Sequence, residues 1–482
     1  DYVPYYGSLK GATLTYLDGS GNDFDQASLM IALLRESSVY NTSIGTVQYI
    51  YGQLNMSGDT LANYLGVDNI AWWSGSYCYS SIGTVLGNGG IPTTWYRDSG
   101  CTKVVYAYVS RVWVKANINL TDYLFDPSFK SYTYTSKIDI GNAAGYNQSD
   151  LLAAAQLGAT IGADYVQNLN EGNIGNKLTA YSTNLLNIIR SQYPNTDIKE
   201  IISGKSIVQT NLTDYQTTLP FQIVGTPTTW TDIPTDKTAR LILRHGDVSR
   251  QNNFCKILSP DLTSVDINQE FYTYDITGKR LTFTHSGGIP QIRLEGNLII
   301  QGNSTTVDKA LCILIDHPYA GGNPSGTYAD QYSPYTVKST GTYAIVSNFG
   351  GVSDMLLQKR QKQLDVYLAQ GLSQTSEEVL GETLNIMGQT WLKELQMTNN
   401  LLSSLAETVS TTHHMIGLIA QESGYYIDVK TSVSSITSKH NISADRLAHF
   451  KTLAFVGSAF EHGMLEQLMG SDNPGVSTMK LF

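Results

Sequence analysis

Apolar residues recur at helical spacing in residues 21–35, GNDFDQASLMIALLR, where Ala27, Met30, Ile31 and Leu34 share one face. Asp25 or a neighbour is expected to cap this helix. A Gly-rich turn, YLDGSGN, precedes it and aims position 23 out of the helix start. After Arg35 the period falls to two: SVYNTSIGTVQYIYGQLNM alternates around Val47, Tyr49 and Tyr51 and reads as a strand. LANYLGVDN follows as a short helix. Residues 103–118, KVVYAYVSRVWVKANI, form the clearest strand pattern. Tyr106, Tyr108, Ser110, Val112 and Val114 fall on one face, with Ala107, Val109, Arg111 and Trp113 on the other.

Further along, residues 148–193 read as two helices separated by the turn EGNIGN. From about 200 to 315 the pattern is short apolar or alternating runs at 206–209, 221–224, 239–244, 270–274, 281–285 and 297–301. Their spacing predicts a sandwich or barrel, with TYDITGKRLTFTH as a hairpin turning at Thr277-Gly278-Lys279. Residues 317–341 are rich in Gly, Pro, Tyr and Ser and read as an exposed loop. Beyond Gly350-Gly351, amphipathic spacing predicts helices in MLLQKRQKQLDVYLAQ and SEEVLGETLNIMGQTWLKELQMTNNLLSSLAETVS. HHMIGLIAQES, SADRLAHFKTLAFVGSAF and EHGMLEQLMG would supply three more. Gly381, Gly388 and Gly417 interrupt these runs, which favours a compact helical domain over a coiled coil. The expectation is an α+β chain in three parts: 1–199, 200–349 (the β domain) and 350–482 (the helical domain, ending in an extended tail).

Composition narrows the function. Charged residues make up only 15% and the net charge is −10, so clustered Lys and Arg for a nucleic-acid partner are missing. No window holds eighteen uninterrupted apolar residues, and a membrane span is not expected. No P-loop, GxGxxG turn, HExxH helix or EF-hand loop is present, and neither cofactor nor metal is expected. His413-His414 and His245-Gly246-Asp247 read as core or surface histidines rather than ligands. Four cysteines fall as two pairs, Cys78 with Cys101 and Cys255 with Cys312; an exported chain would bond each pair, and four buried thiols are the alternative. A natural start at Asp1 would imply processing from a longer precursor.

The segment 21–35 resembles the nucleophile helix of the transglutaminase-like superfamily, whose pattern reads Gly-x-Cys, an acidic spacer and an apolar helix ending Leu-Leu-Arg. Here Leu33-Leu34-Arg35 closes the helix. The resemblance continues through a strand ending in Tyr-Gly and a Leu-Gly-Val segment. It then meets Arg111-Val112-Trp113 where the family has His-x-Trp, and Asp126-Pro127-Ser128 where it has Asp-Pro-Ser or Asp-Pro-Thr. The resemblance covers roughly residues 3–135. More widely, it is to the amino-terminal region of large secreted bacterial proteins carrying YD/RHS repeats. It implies a papain-like fold with Asp23 at the nucleophile position, Arg111 at the base position, Asp126 retained, and Trp113 beside them.

A thiol mechanism needs a thiolate, an imidazole and an orienting carboxylate. All eight histidines lie at or beyond His245, and an arginine cannot accept a proton at neutral pH. Arg111 is instead expected to pair with Asp23 or Asp126, and the chain to be no enzyme. The competing reading is an active thiol acyltransferase or peptidase using Cys78 or Cys101. Thirty-one tyrosines offer amphipathic contact surface, either for binding or as ordinary strand residues. Tyr332 and Tyr335 in the exposed loop, and Leu481 and Phe482 in the tail, are the expected interface residues. The expected role is therefore an extracellular structural or binding protein, contacting other chains or copies of itself as a homo-oligomer or filament.

Overall fold

The computed structural model describes residues 1–135, 138–196, 201–209, 214–257, 259–318, 330–331, 334–349, 352–411, 415–421, 425–431, 435–454 and 457. The chain is α+β, and its contacts divide it into two compact units: Asp1–Lys130 with Thr210–Phe482, and Ser131–Gln209. This differs from a division at 199 and 349. No boundary falls near 350, because strands beyond the long helices return to a sheet begun before residue 290.

In the larger unit, a five-stranded antiparallel sheet runs in the order Gln222–Trp230, Ile44–Ser57, Val104–Ile118, Thr93–Arg97. Thr121–Phe125 is also paired to Val104–Ile118. The Asp23–Tyr40 helix packs on the two central strands through Phe24, Ala27 and Ile31. Its cap is Asn22, whose side chain accepts from the Asp25 amide at 2.8 Å, so Asp25 is not the cap. The Asp25 carboxylate instead receives Tyr5 Oη at 2.8 Å, Ser8 Oγ at 2.9 Å and the amides of Leu9, Lys10 and Gly11. One side chain thus gathers five of the residues from Tyr5 to Gly11, and the Asn22 amide adds the carbonyls of Tyr5 and Gly7.

Two more sheets share a core. The first is ordered Val265–Tyr272, Arg240–Gly246, Lys309–Asp316, with Asp330–Gln331 and Tyr335–Val337 both on the last strand. The second is ordered Asn297–Gln301, Ile289–Leu294, Leu281–Ser286, Thr342–Asn348, Met415–Gln421, Tyr425–Thr431. Leu241, Leu243 and Ile313 meet Leu281, Phe283, Ile345 and Leu418 between them. Helices Asp354–Ala369 and Glu377–Leu405 cover the outer face of the second sheet, packing Leu356, Leu384 and Leu392 on Ala344, Val346 and Ile419.

Three local expectations fail. The run within HHMIGLIAQES is the strand Met415–Gln421 rather than a helix; a run of seven residues, nearly all apolar, cannot show which period it follows, and pairing with Thr342–Asn348 decides. The region 350–482 is therefore not wholly helical. Thr273–Ile276 forms one helical turn, so the hairpin around Gly278 does not exist. Leu281–Ser286 turns back instead at Gly287-Gly288, where φ of +59° and +80° requires glycine. EGNIGN opens the helix Glu171–Gln192 rather than separating two helices, because the Asn170 side chain caps it.

The smaller unit holds the helices Ile140–Ala144, Gln148–Gln156 and Glu171–Gln192 and two small strand pairs. Not one residue of the 22-residue Glu171–Gln192 helix is buried. Leu178 is 52% exposed and Leu186 44%, alongside Tyr146, Leu152, Leu157 and Ile161.

Candidate functional site

The helix start at Asp23, the middle of the strand Val104–Ile118 and the turn after Thr121–Phe125 converge on one buried polar group. The turn is made by Asp126 itself. Its Oδ1 accepts from the Ser128 amide at 3.2 Å, the Phe129 amide at 3.0 Å and Ser128 Oγ at 2.7 Å. That local bonding points the carboxylate at Arg111, whose Nε donates to Oδ2 at 3.2 Å and whose Nη2 donates to Oδ1 at 3.1 Å. The pair is bidentate, the geometry in which Arg and carboxylate bind best.

Arg111 makes further contacts. Its Nη2 also donates to the Tyr64 hydroxyl oxygen at 3.0 Å and to Ser128 Oγ at 2.5 Å. Tyr64 donates in turn to the Ser128 carbonyl at 3.1 Å. Tyr2 and Tyr64 stack with centroids 4.3 Å apart, and the guanidinium lies 5.5 and 5.0 Å from their ring centres. Tyr2 arrives with the amino-terminal segment, 6% exposed, above Arg111 at 1%. Asp23 Oδ2 accepts from the Val112 amide at 2.7 Å, one residue along the same strand. Trp113 is fully buried beside Gly52, where a Cβ would stand 3.0 Å from its ring and from Pro227.

Burial sets the electrostatics. Desolvation pushes the Asp23 carboxyl up to about 7, an effect that Arg111 and the Val112 amide only partly offset. Burial also raises Tyr64 well above the usual phenol range. For Arg111, burial opposes the charge, but Asp126, Tyr64, Tyr2 and Asp23 outweigh it and hold the guanidinium above its ordinary range. Desolvation lowers the neighbouring Lys130, whose ammonium donates to the Pro127 carbonyl. The result is a closed ionic cluster with one carboxyl that holds a proton near neutrality.

Both cysteine pairs are bonded, Cys78 to Cys101 and Cys255 to Cys312, with Cα separations of 6.1 and 5.5 Å, so none of the four is a free thiol. Tyr335 is half-buried and packs against the sandwich core opposite Leu311, which removes it as a free contact residue. Tyr332, Leu481 and Phe482 lie outside the described residues, as do His413 and His414. Sequence reasoning missed Tyr2, Tyr64 and Ser128. The first two sit in YVPYY and LANYLGV, and nothing in those patterns marks them as partners of residue 111. No family model, curated protein or solved structure matches the chain.

Proposed function

We propose that the chain is an exported, non-catalytic structural or binding protein that assembles with copies of itself, on a transglutaminase-like scaffold whose catalytic positions have become an internal ion-pair network. One observation carries this reading. Arg111, at the base position of the resemblance, is locked bidentate to Asp126, and the Asp23 carboxylate, at the nucleophile position, accepts from the Val112 amide one residue along the strand. The helix start, the strand and the Asp-Pro-Ser turn meet at one place, which supports this reading. None of the side chains that meet there is the thiol or the imidazole that a thiol mechanism needs.

Supporting observations point the same way. Two disulfides are compatible with an oxidising, extracellular setting. No described helix is long and apolar enough to cross a membrane. Residues 131–209 expose more large apolar side chains than a free surface favours, and in that segment five basic residues stand against six acidic ones. A net charge of −1 there, against −10 for the whole chain, lets two copies meet on this face without repulsion.

Sedimentation of the purified chain at micromolar concentration tests the assembly. A species heavier than 52.8 kDa is expected, reduced toward the monomer in Leu178→Lys/Leu186→Lys. A monomer at every concentration refutes it. Incorporation of an amine into a glutamine substrate by the purified protein would refute the loss of catalysis.

A further inference from the structure

The sheet that buries Arg111 on one face leaves part of its other face open, and the strand register shows what stands there. Tyr108 lies opposite Thr94 on one side and Asn55 on the other, and Asn55 lies opposite Gln222. In the neighbouring row Tyr106 lies between Tyr96 and Ser57; on the far side Ser110 lies opposite Gln53, and Gln53 opposite Val224. Opposed residues of antiparallel strands, and alternate residues along each strand, share a face. Tyrosine, amide and hydroxyl side chains therefore fill these rows, with Val224 the one aliphatic, and no position carries a charge.

This face meets solvent. Tyr96 is 40% exposed, Thr94, Ser57 and Gln222 are exposed, and Tyr106 and Tyr108 are half-buried. Thr93–Arg97 ends the sheet order, so among the described residues no strand covers the side of Tyr96 away from Tyr106. Tyr96 and Tyr106 stack with centroids 4.6 Å apart, and Tyr108 meets Tyr96 edge-on at 5.5 Å. The rings hold one another in place, which lowers the entropy cost of binding through them. Arg97, next in the strand, is engaged elsewhere: it lies over Trp73 at 4.6 Å and donates to the carbonyls of Asp98 and Ser99.

Charge selects the occupant. A charged ligand would lose water here against no counter-charge, and the net charge of −10 repels an anionic polymer before contact. A wholly apolar ligand would leave the Asn55, Gln53 and Gln222 amides unpaired. A neutral sugar chain satisfies both demands, since its C–H faces pack on aromatic rings and its hydroxyls donate and accept as the amides do. We propose that this face, centred on Tyr96, Tyr106, Tyr108, Asn55 and Gln222, binds a neutral polysaccharide. Four strands make it about 14 Å wide without enclosing walls, which fits an extended polymer rather than a single sugar. The site is independent of self-association through residues 131–209.

Affinity electrophoresis of the intact chain in native gels containing hydroxyethyl cellulose, soluble starch or galactomannan tests the proposal, with polygalacturonate as the anionic control. Retardation by at least one neutral polymer and none by polygalacturonate is expected. Calorimetric affinity for that polymer should change less than twofold between about 50 and 500 mM NaCl, because no charge takes part. Tyr96→Ala/Tyr106→Ala, checked for folding by circular dichroism, should weaken binding at least tenfold, and Gln222→Ala should weaken it on a side chain outside the core. Leu178→Lys/Leu186→Lys should bind as the wild type does. Failure of all three neutral polymers to retard the chain overturns the proposal, as do undiminished binding in the folded tyrosine variant, affinity that falls with salt, or loss of binding in Leu178→Lys/Leu186→Lys. A tyrosine variant that keeps its glycan affinity but sediments as a lighter species also overturns it, and assigns the face to a second copy of the chain.

Discussion

The two units break the ordinary distribution of polar and apolar residues in opposite directions. The larger one keeps charge inside: Arg111, Asp126 and Asp23 are all at most 3% exposed at their side chains or as whole residues. The smaller one leaves hydrocarbon outside, with a 22-residue helix that fully buries no residue and exposes Leu178 and Leu186. Buried ion pairs are often no better for stability than apolar residues of the same volume, so the interior cluster is poorly explained by stability alone. Exposed leucines are equally poorly explained by solubility. The first departure is what the proposed change of chemistry around fixed positions would leave behind. The second is what the proposed self-association would cover.

The largest expected effect comes from opening the interior cluster. Arg111→Met leaves two carboxyls buried without their cation and should cost about 3–5 kcal/mol of stability in urea unfolding. Adding Asp126→Leu should recover most of that loss. A single variant costing under about 1 kcal/mol would mean that water reaches the cluster and the contrast is false.

Asp23 sharpens the same side through pH. Its folded pKa, near 7, lies above the unfolded value, so between about pH 4 and 7 the folded state holds a proton that the unfolded chain releases. Its contribution to stability is therefore most favourable below about pH 4 and falls as pH rises through 7. Asp23→Asn, which keeps an oxygen for the Val112 amide, should gain on the wild type by up to roughly 1.4 kcal/mol per pH unit across that window. Parallel stability profiles from pH 4 to 8 would show that Asp23 titrates as a surface carboxylate.

The smallest effect on folding is expected on the other side of the comparison. Leu178→Lys/Leu186→Lys should change unfolding stability by no more than about 0.5 kcal/mol per site, because neither residue is buried. The same variant should weaken self-association at least tenfold in sedimentation equilibrium. A large loss of stability with unchanged association would place these leucines in a core.

Much of the fold could be read from period alone. The helix at 23–40 and the strands at 44–57 and 104–118 carry long, unbroken patterns, and long patterns leave little choice. A pairing of Arg111 with Asp23 or Asp126 could be posed because the resemblance placed all three at one site, and the structure has Asp126, oriented by its own Asp-Pro-Ser turn. Tyr2 and Tyr64 could not be found that way. Their stacking over the guanidinium depends on the pairing of Tyr2 and Val3 with Gly21, a tertiary event with no local signature. Periodicity marks the apolar face of 171–192 but carries no information on whether anything covers it. Met415–Gln421 failed for a third reason, being shorter than the pattern needed to tell a buried strand from a helix.

The anchoring of the opening segment has a kinetic consequence. Leu9 gives its carbonyl to Thr273 Oγ1, 264 residues later, and Ser8 bridges Thr238. The strand Ile44–Ser57 must wait for Gln222–Trp230, with the 131–209 unit intervening. Contacts this distant in sequence close slowly, because the loop entropy is lost before the contact forms. A chain delivered amino-terminus first thus has Leu9 waiting for Thr273, past the midpoint of the sequence, and one edge of its first sheet waiting until nearly half has emerged. The compact unit 131–209 is free to collapse meanwhile. For these contacts, closure follows the later partner and not the order of the sequence.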